Sequence, residues 1–286
     1  MRSLFIFLAV VVFLAGFAPA QQTSFTVVSG SIVQVVPWPV VSTMDLSAAS
    51  SMVAAPGRTL LTLDASVSMP RMAPDLALQT YENRAVQQNK QLAAYSASTL
   101  IRAELPDAEQ SGEYELERHY VAPRTLEFKA VRFSGDTFVK TNVINHLLQS
   151  EVDHVQKDDL SLTALTPANY KFSYKGSSDV DGHVVHVFQV KPRKKRAGLF
   201  KGRVYLDAYN ASLVRAEGSV VKSPSFFVKN VEFVQDYSDI SGFTFPTHVH
   251  SEARARIVGR AVVDIYQRNY QPVASPVQAQ QQIPTM

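Results

Sequence analysis

Apolar and polar residues alternate with a period of two over much of the chain after residue 94. This period is typical of antiparallel strands with one buried face and one wet face. Turn signals such as Ser134-Gly135-Asp136 and Asp181-Gly182 separate the alternating runs. The pattern therefore predicts a meander of about ten strands. The residues expected on the buried faces are Tyr95, Ala97, Thr99, Ile101, Ala103 and Leu105; Tyr114, Leu116, Arg118 and Tyr120; Leu126, Phe128 and Ala130; Tyr170, Phe172 and Tyr174; and Phe243, Phe245, Val249, Ala253, Ala255 and Ile257.

Two segments have helical spacing instead. After Pro74, apolar residues recur every three or four positions from Asp75 to about Ala93, which predicts a first helix. A second helix is expected over residues 142–155, with Asn142 as its N-cap. Together these elements predict an α+β fold in which one large curved antiparallel sheet, a half-barrel, is covered by about two helices. A sheet of this size must curl or be covered, and a lidded, curved sheet encloses an apolar cavity.

The first twenty residues have the layout of a cleavable secretory signal. A positive start at Arg2 precedes an apolar run from Leu4 to Phe17, and Ala18-Pro19-Ala20 supplies small residues at the cleavage positions. The alternative is an uncleaved anchor, but the run is shorter than the roughly 20 residues that span a bilayer. We therefore expect a periplasmic or secreted protein whose mature N-terminus is Gln21.

The rest of the chain divides into three parts. Residues 21–74 are rich in Ser, Val, Ala and Pro without a sustained period, which predicts a mostly disordered extension. Residues 75–270 are expected to form the folded domain, and the Pro- and Gln-rich residues 271–286 are expected to form a disordered tail. The chain has no Cys, so an exported protein of this length must rely on its apolar core rather than on disulfides. This favours a bacterial envelope protein.

Positive charge is concentrated in KPRKKRAGLFKGR, residues 191–203. Without its seven basic residues the chain has 21 Lys and Arg against 25 Asp and Glu, a net charge of −4. A nucleic-acid-binding domain spreads its charge along a face or groove, so no nucleic-acid partner is expected. The stretch joins two predicted strands, which makes it a hairpin tip. It is either a solvated tip or a membrane-docking tip, in which cations bind anionic lipid and a Leu-Phe pair inserts. The docking candidates are Arg193, Lys194, Lys195, Arg196, Leu199, Phe200 and Lys201.

Patterns typical of catalysis are absent from the sequence: there is no Cys nucleophile, no G-x-S-x-G and no phosphate-binding glycine loop. His248 and His250 lie on one side of a strand, a spacing that could chelate a metal. They share the polar face with Glu252, and two solvated histidines are the simpler interpretation. We expect no enzyme activity, no cofactor and no metal.

The strand succession after residue 184 is similar to that of a known family. VVHVFQVKP, GRVYLDAYNASLVRAEG and the run from FFVKNVEF to IYQRNY resemble the LolA/LolB-like outer-membrane lipoprotein-sorting proteins, and the resemblance covers roughly residues 76–270. It implies a half-barrel whose concave face holds acyl chains of lipids or lipoproteins. The extension at 21–74 is not part of that family pattern.

The buried faces supply the candidate cavity. They are either plain core or the wall of a pocket, because the two would be the same surface. Arg118 is the exception among apolar neighbours and must pair, reach the rim, or meet a polar group of the lid or ligand. The cavity candidates are Tyr114, Leu116, Arg118, Tyr120, Phe128, Tyr170, Phe172, Tyr174, Phe245 and Val249.

Two functions follow as hypotheses. The first is a periplasmic carrier that holds lipid or lipoprotein acyl chains in its cavity and docks on anionic membrane through the basic tip. The second is a non-enzymatic envelope sensor or protein-interaction module, in which the same sheet is filled by its own side chains and an envelope protein is the partner.

Overall fold

The computed structural model describes residues 70–157, 160–222, 228–256 and 258–275. The predicted signal peptide, the extension up to residue 69, Ile257 and the tail from residue 276 lie outside this range.

The described strands form one sheet in which every neighbour is antiparallel. The strands are β1 (Leu92–Leu105), β2 (Gln110–Val121), β3 (Thr125–Gly135), β4 (Tyr170–Val180), β5 (His183–Pro192), β6 (Phe200–Asp207), β7 (Leu213–Val220), β8 (Val228–Ile240), β9 (Phe243–Ala255) and β10 (Gly259–Ala274). Their order is β3-β2-β1-β10-β9-β8-β7-β6-β5-β4. The predicted antiparallel sheet of about ten strands is confirmed.

The last strand is longer than expected. β10 continues to Ala274, which pairs with Leu92 at the start of β1, and Tyr95 opposes Pro272. β10 therefore continues a few residues beyond the domain end expected at residue 270. The composition of QPVAS indicated a tail because proline cannot donate a ladder hydrogen bond. β1 nevertheless provides a partner strand along the whole segment.

Two helices complete the fold. The first, α1, spans Pro74–Gln91 and agrees with the prediction. The second, α2, is one continuous helix made of Thr137–Val139, a π-helical turn at Lys140–Ile144, and Asn145–Lys157. It begins before the expected N-cap Asn142. Asn142 lies inside the helix, where its side-chain amide donates to the Phe138 carbonyl at 3.0 Å. Asp136 occupies the N-cap position instead.

The chain crosses the sheet through α2. β3 and β4 follow each other in sequence but form opposite edges of the sheet. Ten strands spaced about 4.8 Å apart are roughly 43 Å wide when flat, whereas the 21 residues at 137–157 form a helix of about 31 Å. A curled sheet brings its edges within reach of this helix and the segment that follows it. We call the face that α1 and α2 cover the inner face, and the opposite one the outer face.

The core lies between the inner face and the helices, in three clusters. Ala77 and Tyr81 of α1 pack on β4 to β8. Ile144 and Leu147 of α2 pack on β1, β2, β9 and β10. Val155, near the end of α2, lies on a third cluster of mostly aromatic residues. The predicted alternation is confirmed along β1, where each of the six expected residues is buried.

Candidate functional site

The inner face carries the predicted cavity residues. Tyr114, Leu116, Arg118, Tyr120, Tyr170, Phe245 and Val249 are buried, and Phe128 and Phe172 pack against the same clusters. Tyr174 lies at the edge strand, where 43% of it is exposed. The structure therefore brings these residues to one face, as the alternation predicts. That this face holds a ligand stays a prediction, because side chains of α1 and α2 pack on it.

Aromatic rings form two separate groups on the inner face. Beneath α2, Tyr95 stacks on Tyr120 with centroids 5.2 Å apart, and Phe245 stacks on Tyr270 at 4.3 Å. Near α1, the group consists of Tyr170, Phe172, Phe188, Phe200 and Phe233. Rings are large apolar surfaces that pack in several offset or edge-on geometries. The inner face can therefore pack against a helix or against a flexible apolar chain.

Arg118 of β2 lies at the centre of the first group. Its Nη2 donates to Glu151 of α2 at 2.5 Å, and its Nε donates to the Tyr95 hydroxyl at 2.9 Å. The guanidinium also lies 5.3 Å from the ring centroid of Phe128. Arg118 is 1% exposed, so it does not reach the rim and instead pairs with a polar group of the covering helix.

Burial and pairing act in opposite directions on this cation. Burial alone lowers the pKa of Arg118, but the negative charge of Glu151 and its hydrogen bond outweigh that effect and leave the pKa raised. Burial also raises the pKa of the neighbouring Tyr95 hydroxyl. Both groups therefore keep their protons, and Arg118 remains a guanidinium in an apolar surrounding.

Not every polar atom of this buried cluster has a partner. Within the described residues, Nη1 of Arg118 and Oγ1 of Thr99 are buried without a hydrogen bond. Thr99 opposes Gln267 of β10, whose side chain is in contact with the Tyr270 hydroxyl. A buried donor without an acceptor is unfavourable. The cluster can therefore accept one more oxygen-bearing group.

Several polar contacts tie the helices to the sheet. In α1, the side chain of Gln88 bonds both backbone groups of Thr244 at 3.0 Å. In α2, the π-helical turn places Lys140 4.8 Å from the Phe133 ring centroid, and Arg124 donates to the Gln156 carbonyl at 3.1 Å. Single π turns inside α-helices are frequent at functional sites. These contacts and the Arg118 pair add to the apolar packing of α2 on the sheet.

Two members of the predicted membrane-docking tip are buried. Leu199 is 2% exposed and Phe200 is 0% exposed, and both belong to the core cluster beneath α1. The expectation that they insert into a membrane is therefore wrong. Phe200 begins β6 on its inner face, and Leu199 precedes the strand and is buried in the same cluster, so the start of the strand rather than the surrounding charges decides their burial.

The basic residues of the tip behave differently from one another. Nε of Arg193 donates to the Pro167 carbonyl at 2.6 Å, and Arg196 reaches the Leu162 carbonyl at 3.4 Å. These two arginines fold the loop back on the segment that follows α2. Lys194 and Lys195 are exposed, and Lys201 is exposed on β6.

The outer face of β4, β5 and β6 carries further cations. Lys171 lies directly opposite Lys191, and Arg203 lies opposite Gln189. A pocket of about 330 Å³ opens on this face and is lined by Lys175, Gly176, Ser177, Val187, Gln189 and Arg203. We call Lys171, Lys175, Lys191, Lys201 and Arg203 the basic face. Sequence reasoning missed it because its β4 members are distant from the 191–203 stretch and become neighbours only through strand pairing.

The two histidines of β9 share a partner that the sequence did not indicate. His248 Nε2 lies 3.0 Å and His250 Nδ1 lies 2.9 Å from the same carboxylate oxygen of Asp264 on β10. Asp264 is directly opposite His250 in the ladder. Among the described residues, no group of three or more His, Asp or Glu is arranged to hold a metal ion. None of the described helices is both long enough and apolar enough to cross a bilayer.

Fold and site together define an open antiparallel half-barrel with an aromatic inner face covered by two helices. Residues 127–271, just over half of the chain, match a family of unknown function, DUF5686. The chain belongs to this family. The matched region begins within β3 and continues into β10, so it includes α2 and the basic face. No curated protein matches the chain.

Solved structures with a related strand arrangement include a LolA superfamily protein from Nitrosomonas europaea, at 11% identity and a TM-score of 0.36, covering 72% of this chain and 96% of that one. An outer membrane lipoprotein-sorting protein domain from Vibrio parahaemolyticus matches at 11% identity and a TM-score of 0.37. The match covers 69% of this chain and 92% of that one. A structure of the Pseudomonas aeruginosa MucA/MucB complex matches at 13% identity and a TM-score of 0.25. The match covers 70% of this chain and 100% of that one. At these identities and TM-scores, the matches carry no argument about the ligand or partner of this chain.

Proposed function

We propose that this protein is a periplasmic carrier that holds the acyl chains of a lipid or lipoprotein between the inner face of its sheet and α2. The observation that supports the proposal is the inner face itself. It is a mainly apolar and aromatic surface, and its cover is a separate helix held mainly by apolar side chains. In this proposal α2 moves away from the sheet when cargo enters.

The free energy of burial favours a state in which cargo takes the place of α2 on the sheet over a state in which α2 leaves an empty cavity. α2 buries five aliphatic side chains, namely Val139, Val143, Ile144, Leu147 and Val155. At about 2 kcal/mol for each, uncovering them in water costs roughly 10 kcal/mol, so an open empty form is rare. An acyl chain of about 14 methylenes contributes roughly 11 kcal/mol when it is buried. The two values are similar, so an acyl chain can replace the helix on the sheet.

Arg118 gives the same surface a polar contact for cargo. Its Nη1 is a buried donor without a partner, and its Nη2 is bonded to Glu151 of the helix that must move. An ester, amide or phosphate oxygen near the head of an acyl chain can accept from Nη1. The same oxygen would offset the loss of Glu151 when α2 departs, because an unpaired buried cation is unfavourable.

The carrier proposal predicts bound acyl species and a movement of α2. We expect native mass spectrometry of protein purified from its own periplasm to show co-eluting lipid. The sequence has no Cys, so single probes can be placed without removing any native thiol. Spin labels at Gln149→Cys on exposed α2 and Arg254→Cys on the exposed outer face of β9 should separate when a fatty acid is added.

A labelled pair confined to the sheet, at Lys129→Cys and Arg254→Cys, is the matched control and should keep its distance. A protein that is always purified empty, takes up no fluorescent fatty acid and shows no change in the first pair would contradict the carrier proposal.

The second candidate is a non-enzymatic envelope interaction module. It is favoured by one observation, the packing of the inner face by the chain's own helices, which leaves the predicted cavity residues buried. A stable protein partner that is captured by the full mature chain and lost when residues 21–69 are removed would support it, together with an empty carrier test.

A further inference from the structure

The basic face carries an unfavourable arrangement that needs an explanation. Lys171 and Lys191 lie directly opposite each other in the β4–β5 ladder, and like charges in that position are destabilising. In the part of the chain that the structure describes, neither forms an ion pair, and Lys175 and Lys201 form none either. Arg203 alone has a carboxylate nearby, Glu217 at 3.6 Å. The tip lysines Lys194 and Lys195 follow on the same loop end of β5.

Glu217 does not neutralise the face. Its Oε1 also accepts a hydrogen bond of 2.7 Å from the Tyr205 hydroxyl, which is shorter than the contact to Arg203. The Arg203 side chain remains 61% exposed. Five cations therefore face one carboxylate over three adjacent strands, and an anion from outside the chain would offset their mutual repulsion.

The backbone makes room for that anion. The β4–β5 register shifts between Tyr174 and Gly176, so Lys175 is the additional residue of a β-bulge. Gly176 has φ +122°, and no atom lies within 4 Å of the position that a Cβ would occupy there. Bulges of this kind redirect a side chain, and a strand glycine often marks a place where a ligand approaches the backbone. The open space lies in the pocket between Lys175 and Arg203.

We propose that the basic face, rather than an apolar hairpin tip, docks the protein on an anionic phospholipid surface, with one lipid phosphate seated in the pocket between Lys175 and Arg203. A lipid surface fits better than a single small anion because the cations extend across three strands instead of enclosing one point. Charge complementarity makes the contact, and no apolar insertion is needed. This inference rests on the proposed carrier function, which requires access to a membrane, and it adds the surface that provides the access.

The test measures sedimentation of the mature chain with vesicles of equal parts phosphatidylcholine and phosphatidylglycerol. In the face variant, Lys175→Ser and Lys191→Ser remove two cations. Each Lys near an anionic surface contributes about 1 kcal/mol, so we expect binding to fall roughly thirty-fold. The matched control, Lys90→Ser with Lys229→Ser, removes the same charge from exposed positions on α1 and β8 and should bind nearly as well as the parent.

Further arms separate the alternatives. The tip variant Lys194→Ser with Lys195→Ser should weaken binding less than the face variant, and a larger effect at the tip would overturn the assignment to the face. An equal loss of vesicle binding in the face and control variants would show that only net charge matters, and would also overturn the assignment to the basic face. A parent protein that does not sediment with the vesicles would also overturn the proposal. This includes a parent that binds only inorganic phosphate at Lys175 and Arg203, as followed by NMR shifts.

The docking and carrier proposals fail independently. The same variants are assayed for uptake of a fluorescent fatty acid from solution, without vesicles. Lost vesicle binding with normal uptake supports docking by the basic face. A parent that binds vesicles through this face but takes up no fatty acid contradicts the carrier proposal and leaves the docking surface in place.

Discussion

At the scale of single residues, one buried ion pair joins the covering helix to the sheet. Arg118 and Glu151 are 1% and 4% exposed, and between them they connect β2 to α2. Removing one partner of a buried pair leaves an uncompensated charge, whereas replacing both by apolar residues is often tolerated. This pair therefore affects both the stability of the fold and the ease with which α2 leaves the sheet.

We expect Glu151→Gln to lower the free energy of unfolding by about 3 kcal/mol. The double variant Arg118→Met with Glu151→Leu should lose clearly less than the sum of its two single changes, which urea denaturation of all four proteins would measure. The control is Glu117→Gln. Glu117 lies on the outer face of β2, the strand that carries Arg118, and its exposed ion pair with Lys129 contributes less than about 1 kcal/mol. Equal losses at Glu117 and Glu151 would contradict the buried pair.

A second residue-scale prediction concerns His250. Burial alone lowers the pKa of His250, but its hydrogen bonds to Asp264 and Glu252 and their charges outweigh burial and leave the pKa raised. A raised pKa means that the folded protein holds the proton more tightly than the unfolded chain. The resulting stabilisation is fully present below the unfolded pKa of about 6.5 and disappears as the pH rises through the folded pKa. His248 and Arg260 also face this group from β9 and β10.

His250→Asn should therefore destabilise the protein more at pH 5.5 than at pH 8.5, as compared by urea denaturation at about these two values. In the background of Asp264→Asn, whose side chain has no charge, this difference between the two pH values should shrink. A loss that is the same at both pH values in the parent background would contradict the raised pKa.

At the scale of elements, β6 and β7 pack unusually closely. A Cβ placed on Gly202 would lie 1.9 Å from the Glu217 carbonyl oxygen and 2.7 Å from the Cα of Gly218. Gly202 and Gly218 oppose each other in the ladder, so the two backbones approach at a point where neither strand has a side chain. The two strands must therefore move apart if either glycine is replaced by a residue with a side chain.

Gly202→Ala is expected to lower the free energy of unfolding by at least about 2 kcal/mol, because the new methyl group overlaps backbone atoms that cannot rotate away. Thermal unfolding followed by circular dichroism would measure the loss. Ser219→Ala, one residue from Gly218 on the same strand, should stay within about 0.5 kcal/mol of the parent. A Gly202→Ala protein as stable as this control would show that the strands can separate at that point.

Across the whole molecule, the sequence predicted what depends on local alternation and missed what depends on pairing. The buried residues of β1 and the number of strands follow from a period of two, which each segment carries by itself. Glu151 could not be predicted as the partner of Arg118, because the two residues meet only when α2 crosses the sheet. The same holds for Asp264 between His248 and His250.

The basic stretch shows this limit most clearly. Its charges predicted one exposed tip, but β6 begins inside it and takes Phe200 into the core. Strand pairing then adds Lys171 and Lys175 to a face that no local pattern contains. The candidate cavity was predictable because it is a sum of local patterns, whereas the candidate docking face required the order of the strands.

The pairing of the first strand with the last one has a consequence for biosynthesis. Ile101 of β1 pairs with Ile265 of β10, so β10 joins the two halves of the described sheet. During synthesis, the set β1 to β3 and the set β4 to β9 each have an unpaired edge strand until β10 is available. Such distant pairings fold slowly, and waiting edges are prone to aggregation. A chaperone that shields β1 until translation ends would therefore matter more for this protein than for a meander that closes strand by strand.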